Sequence, residues 1–159
     1  MKIRILTIGK IKEAYLKQGI LEYLNRLKPY SQIELLEVND ESIIDNPHHS
    51  EIKKAIDIEG ERLLKLIKPN EYVISLDLNT KEMTSIEFAK YIEEKMVIGG
   101  SSITFIIGGS YGLSDALKQR SNDAISLSKM TFLHQMTRLI LLEQIYRAFK
   151  INRNEVYHK

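Results

Sequence analysis

Residues 103–115 read ITFIIGGSYGLSD, and the rest of the chain can be laid out around them. Ile103, Thr104, Phe105, Ile106 and Ile107 form a short β-branched and aromatic run bounded by turn residues, which suits a strand buried on both faces. The run breaks into Gly108 and Gly109 and, after Ser110 and Tyr111, into Gly112. Glycine tolerates positive φ and lets another group come close to the backbone. Ser114 and Asp115 then offer oxygens able to cap a helix through Leu117 and Lys118. A buried strand, a glycine turn and a helix start make the ligand-binding corner of many α/β proteins. The same residues also fit a tight turn with no ligand.

The corner argues against some functions. It lacks the Gly-Lys-Ser/Thr ending of a phosphate loop, which speaks against NTP hydrolysis. It is not the spaced glycine fingerprint of dinucleotide enzymes, and only about fifty residues follow it, too few for a second nucleotide-binding half. The first strand, residues 3–8, ends in Gly9 alone, so the early glycine-rich turn of a Rossmann-type oxidoreductase or methyltransferase is missing.

Upstream of the corner, residues 2–8 predict a strand. Leu16, Ile20, Leu24 and Leu27 then recur at helical spacing until Pro29. Residues 31–38 predict a second strand, and the polar stretch 39–50, with Pro47, a loop. A long helix is expected from near Glu51 to Lys68, with Ile52, Ile56, Leu63, Leu66 and Ile67 on its apolar face and Gly60 as a weak point. Residues 71–77 predict a third strand and 85–97 a helix with Ile86, Ala89, Ile92 and Met96 inward. Downstream come a short helix at 114–121, a fifth strand at 123–127, a loop at 126–132, a final helix at 135–151 and a tail. Strand and helix alternate throughout, so the expected fold is α/β, a mostly parallel sheet with helices on both faces.

At 159 residues, with ordinary apolar content, one domain spanning 1–159 is expected. The formal charge of +2 makes any nucleic-acid site a local basic patch. There are no cysteines, which removes thiolate metal sites and cysteine nucleophiles. No segment reads as a signal peptide or a membrane span, so a cytoplasmic protein is expected.

Leu139, Leu141, Leu142, Ile145, Tyr146 and Phe149 spread over more than half the circumference of the final helix. A helix of that kind is covered on more than one side, and in so small a domain a partner subunit is the expected second cover. Arg138 falls within the most apolar arc, where a charge needs a partner. That partner is either a carboxylate, such as Glu143 of a second chain, or an anionic ligand. The tail carries Arg147, Lys150, Arg153, His158 and Lys159 around Tyr157. Such a mixture suits RNA by phosphate pairing and base stacking, but on the residues alone a solvated, frayed terminus is the preferred reading. His48, His49 and His134 have no companions at metal spacing and read as surface or structural residues.

GGSYGLS, SLSKMTF-L-H, RLILLEQIYRAFKI and the terminal YHK, taken in order, resemble the SPOUT methyltransferases, and within them the small enzymes that modify large-subunit ribosomal RNA. IRILTIGKIKE and EYVISLD support the likeness, which covers the whole chain. The resemblance implies a C-terminal trefoil knot, a homodimer and S-adenosylmethionine (SAM) as cofactor. It implies methylation at N3 of a pseudouridine in large-subunit (23S) ribosomal RNA within the assembled ribosome, with no metal. Carried over by position, Leu76, Gly108 and the loop Leu127, Ser128, Lys129, Met130, Thr131 and Phe132 would hold the cofactor. His158 is nominated as general base and Tyr157 to stack on or orient the base. Arg138, Arg147 and Arg153 would hold phosphate or ease the imide anion, with Lys159 among the RNA contacts. The alternative is a non-catalytic RNA- or ribosome-binding dimer of the same fold.

Overall fold

The computed structural model describes residues 1–159. Five strands alternate with five helices: β1 (Lys2–Ile8), α1 (Ala14–Leu27), β2 (Gln32–Val38), α2 (His49–Leu64), β3 (Tyr72–Lys81), α3 (Ser85–Ile98), β4 (Ser102–Ile107), α4 (Asp115–Arg120), β5 (Asp123–Ile125) and α5 (His134–Asn152). The sheet runs β2-β1-β4-β3-β5 and every pairing is parallel. The C-terminal ends of β3, β4 and β5 therefore open on one edge, where an open α/β sheet binds ligands.

Period-two alternation sends side chains of the central strands to opposite faces. Ile3, Ile5, Ile74, Ile103 and Phe105 meet α1, α3 and α5 on one face. Leu6, Ile8, Val73 and Ile106 meet Leu63 of α2 and Leu117 of α4 on the other. Each such side chain stabilises the fold by roughly 1.5–3 kcal/mol relative to an exposed one. No helix is long and apolar enough to cross a membrane.

Some elements differ from the sequence reading. Helix α2 stops at Leu64, and Leu66 and Ile67 lie in the turn that follows, where the Leu66 N–H donates to the Leu63 carbonyl at 2.9 Å. Its deepest positions are Ala55, Glu59, Gly60 and Leu63, whereas Ile52 and Ile56 are only half-buried. Small residues there let α2 lie close to the start of α4. Ile86 was expected inward and is exposed, because Phe88 and Tyr91 turn the buried arc of α3 away from it.

Helix α5 lies between α1 and α3 over the sheet. Gly19 of α1 makes room for Leu139, whose side chain would stand 2.9 Å from a Cβ at that glycine. Much of the cover expected from a partner subunit is thus supplied by the chain itself. A strip of Met136, Ile140, Glu143 and Arg147 stays partly exposed.

Candidate functional site

β4 ends at Ile107, and the chain folds back so tightly that a Cβ on Gly108 would sit 2.7 Å from the Gly112 backbone. Gly112 closes the turn with φ +91°, a conformation that favours glycine, and its N–H donates to the Gly109 carbonyl at 3.1 Å. Ser114 then caps α4 by accepting the Leu117 N–H at 3.2 Å.

Beside this corner lies a cavity of about 700 Å³, within the usual range for small-molecule sites. Leu76 and Asp77 of β3 form one wall and residues 108–113 the second. The third is built from the loop after β5 and the first turns of α5, reaching Thr137. Hydroxyls wire that loop internally: Ser126 Oγ donates to the Ser128 carbonyl at 2.7 Å, and Ser128 Oγ accepts the Met130 N–H at 3.0 Å. Leu76, Leu127, Met130 and Phe132 supply apolar surface. Lys118 Nζ stands 3.3 Å from the Asp77 carboxylate, so the wall carries one charge of each sign.

Of the residues expected to hold a cofactor, the structure brings Leu76, Gly108, Leu127, Ser128, Met130, Thr131 and Phe132 to this cavity. Lys129, expected beside them, is exposed and lies outside the lining. Asp77, Tyr111, Lys118, His134 and Thr137 line it without having been singled out for it.

The family described as "Predicted SPOUT methyltransferase" matches residues 1–158. The chain belongs to the SPOUT methyltransferase family. Ribosomal RNA large subunit methyltransferase H of Carboxydothermus hydrogenoformans is 53% identical over 159 residues, spanning 100% of both chains. Two solved structures share the fold at low identity. The Bordetella pertussis protein described as "Probable Methyltransferase" gives a TM-score of 0.55 at 12% identity, over 92% of this chain and 95% of that one. The Legionella pneumophila protein described as a "putative methyltransferase", solved with SAM bound, gives 0.50 at 11%, over 93% and 66%. SPOUT membership also implies the trefoil knot expected for the C-terminal part.

The SPOUT chain keeps its remaining candidates away from the cavity. Arg138, nominated to hold phosphate or ease the imide anion, lies outside the cavity lining. It is 0% exposed, with one terminal nitrogen on Glu37 at 2.6 Å and the other on the carbonyls of Ile8 and Gly9. Its partner is a carboxylate of its own chain, not Glu143. Arg147 instead pairs with Glu143 at 2.6 Å and stacks over the Tyr157 ring at 4.7 Å. The Tyr157 phenol donates to Glu143 at 3.0 Å, and burial pushes its pKa up. Arg147 also lies 3.2 Å from His158 Nδ1. A guanidinium only donates, so Nδ1 is the acceptor in this contact. Arg153 lies over Tyr30 at 4.6 Å, and Lys159 is exposed at the terminus. Arg147 is thirteen residues beyond His134, about 20 Å along the helix at 1.5 Å per residue. Within one chain, tail and cavity are therefore separate.

His48 and His49 are exposed at the start of α2, where the His48 N–H donates to Glu51 at 2.9 Å. His134 is different. It is half-buried in the cavity wall, and burial and the Arg138 charge hold its imidazole below the usual value. Its place directly after the SLSKMTF loop was the available clue.

Proposed function

We propose that this chain is a SAM-dependent methyltransferase acting on large-subunit (23S) ribosomal RNA. Its target is N3 of a pseudouridine, and it works as a single-domain homodimer on the assembled ribosome in the cytoplasm. The observation that carries the proposal is one cavity that gathers the glycine corner, Leu76 and the loop before α5. Its wall suits the cofactor's parts. Leu76, Leu127, Met130 and Phe132 can cover adenine, and main-chain groups of the loop can read its edge. Gly108 leaves room close to the backbone for ribose or the methionine arm. Asp77 and Lys118 offer opposite charges to an arm that carries both an ammonium and a carboxylate.

SAM would supply an activated methyl group on sulfonium, so positioning carries much of the rate. The apolar and glycine walls would orient the donor and exclude water. The basic, aromatic tail of Tyr157, His158 and Lys159, with Arg147 and Arg153, would hold RNA. If the partly exposed strip of α5 pairs two chains, the tail of one protomer can approach the cavity of the other. His158 would reach the RNA acceptor only in such an arrangement, once released from Arg147.

Calorimetric titration with SAM, followed by mass mapping of ribosomal RNA from cells lacking the protein, tests the proposal. Binding together with one missing N3 methyl group is the expected outcome. RNA binding with no SAM uptake would favour the non-catalytic dimer instead.

A further inference from the structure

The acceptor in the proposed reaction is an imide N–H, which is a poor nucleophile until its proton leaves, so a base is needed within hydrogen-bond reach. Four titratable side chains line the cavity: Asp77, Tyr111, Lys118 and His134. Asp77 and Lys118 face one another as an ion pair. Tyr111 is half exposed at the glycine turn. His134 alone combines a place in the wall with a neutral ring nitrogen available to take a proton near neutral pH.

Its surroundings favour that role. Nε2 of His134 lies 3.5 Å from where a Cβ on Gly9 would stand, so the ring packs in ordinary contact against the residue that follows β1. The charges facing it are Arg138 on its own helix, held by Glu37 of β2, and Asp40 in the loop after β2. Arg138 works against a second positive charge on the ring and Asp40 favours one, while burial opposes it. No hydrogen bond is among the influences on the imidazole, so neither nitrogen is committed. By contrast, His158 spends its accepting nitrogen on Arg147, far along α5 from this wall.

We infer that His134 is a catalytic residue, the base that takes the proton from N3 of the RNA acceptor. The inference rests on the function proposed above. As the N3–H proton moves to the His134 ring nitrogen, the electron pair left on N3 forms the new N–C bond. The C–S bond of SAM breaks with its pair on sulfur, leaving S-adenosylhomocysteine. His134 then returns the proton to water.

The test compares the unaltered protein with His134→Gln and His134→Asn. Single-turnover methylation is measured across pH on large ribosomal subunits from cells lacking the protein, and SAM affinity is measured separately. The expected result is a fall of about 100-fold or more in rate with SAM affinity kept, in line with loss of one general base. The unaltered protein should lose rate as pH falls through the lowered His134 pKa, and this acid limb should vanish in both variants and survive in His158→Gln. Added imidazole should partly restore His134→Ala.

Nuclear magnetic resonance titration of the unaltered, SAM-free protein gives a readout independent of turnover and of variant folding. The His134 ring should titrate below the usual histidine value of about 6.5 and shift when SAM is added. Full turnover of His134→Gln with its acid limb intact overturns the inference alone, as does a ring signal unmoved by SAM. No SAM uptake by the unaltered protein overturns the proposed function and the inference with it.

Discussion

Arg138, buried in the first turns of α5, donates to Glu37 near the end of β2 at 2.6 Å. Its other terminal nitrogen reaches the carbonyls of Ile8 and Gly9, both at 2.7 Å. Glu37 in turn accepts the Ile11 N–H at 2.9 Å. One guanidinium thus ties α5 to the ends of β1 and β2, just behind the cavity wall. Arg138 is fully buried while Glu37 is open to solvent, so removing the carboxylate leaves a buried guanidinium charge uncompensated. Glu37→Ala should therefore lose about 3–5 kcal/mol in urea unfolding. A loss below about 1 kcal/mol, the scale of an exposed pair, would show that the clamp does not hold the fold.

Gly108→Ala tests the glycine corner. The added Cβ would meet the Gly112 carbonyl carbon and oxygen at 2.7 Å, and backbone there cannot move aside like a flexible side chain. Overpacking of this kind costs about 1–3 kcal/mol, and the corner should relieve it by opening toward the cavity. SAM affinity should fall by about tenfold or more, equivalent to about 1.4 kcal/mol, in calorimetry on the folded variant. Unchanged affinity would separate the corner from cofactor binding.

Gly60→Ala sets two effects against one another. Helix propensity favours alanine by about 1 kcal/mol. The new Cβ, however, would sit 2.2 Å from Ser114 Oγ and 2.8 Å from Ser114 Cβ. Ser114 is buried and caps α4, so it has little freedom to yield. Packing should win, with a net loss of about 1–2 kcal/mol in thermal or urea unfolding. A stabilised variant would show that α2 and α4 can separate without cost.

Glu59 provides a pH prediction. Burial raises its pKa above the usual carboxylate value, with the charges of Asp40 and Glu41 adding to the rise. The Glu41 N–H that donates to it at 3.1 Å and the Arg62 charge offset part of this. A folded pKa above the unfolded one means that the protonated group is favoured by folding. Its stability contribution is full below about 4.3 and is lost as pH rises through the folded value. Glu59→Gln should therefore gain stability relative to the unaltered protein between acid and neutral pH. Urea midpoints at both pH values measure the difference, and an equal difference at both would remove Glu59 as its source.

The strands, the helices and their alternation follow from the sequence because apolar periodicity is local. Ile103–Ile107 could only be a buried run, and Leu16, Ile20 and Leu27 could only face one way. The glycine corner and the SLSKMTF loop were likewise visible, since turn chemistry and a family likeness reside in neighbouring residues. Helix α2 and Ile86 were misplaced because a single-helix pattern cannot tell which of several apolar arcs a neighbour will cover.

The sequence by itself determined an α/β sheet with a glycine turn after β4, and it marked Arg138 as a charge in need of a partner. Only tertiary structure chose that partner: Glu37 lies 101 residues away in the chain, and parallel pairing of β1 with β2 is what sets it in reach. The same crossing of distant segments put His134 beside Gly9 and around one cavity with Asp77 and Lys118, while leaving His158 on Arg147. Local physics decides which elements form. Long-range packing decides which side chains share a cavity, because no spacing along one segment records the position of another.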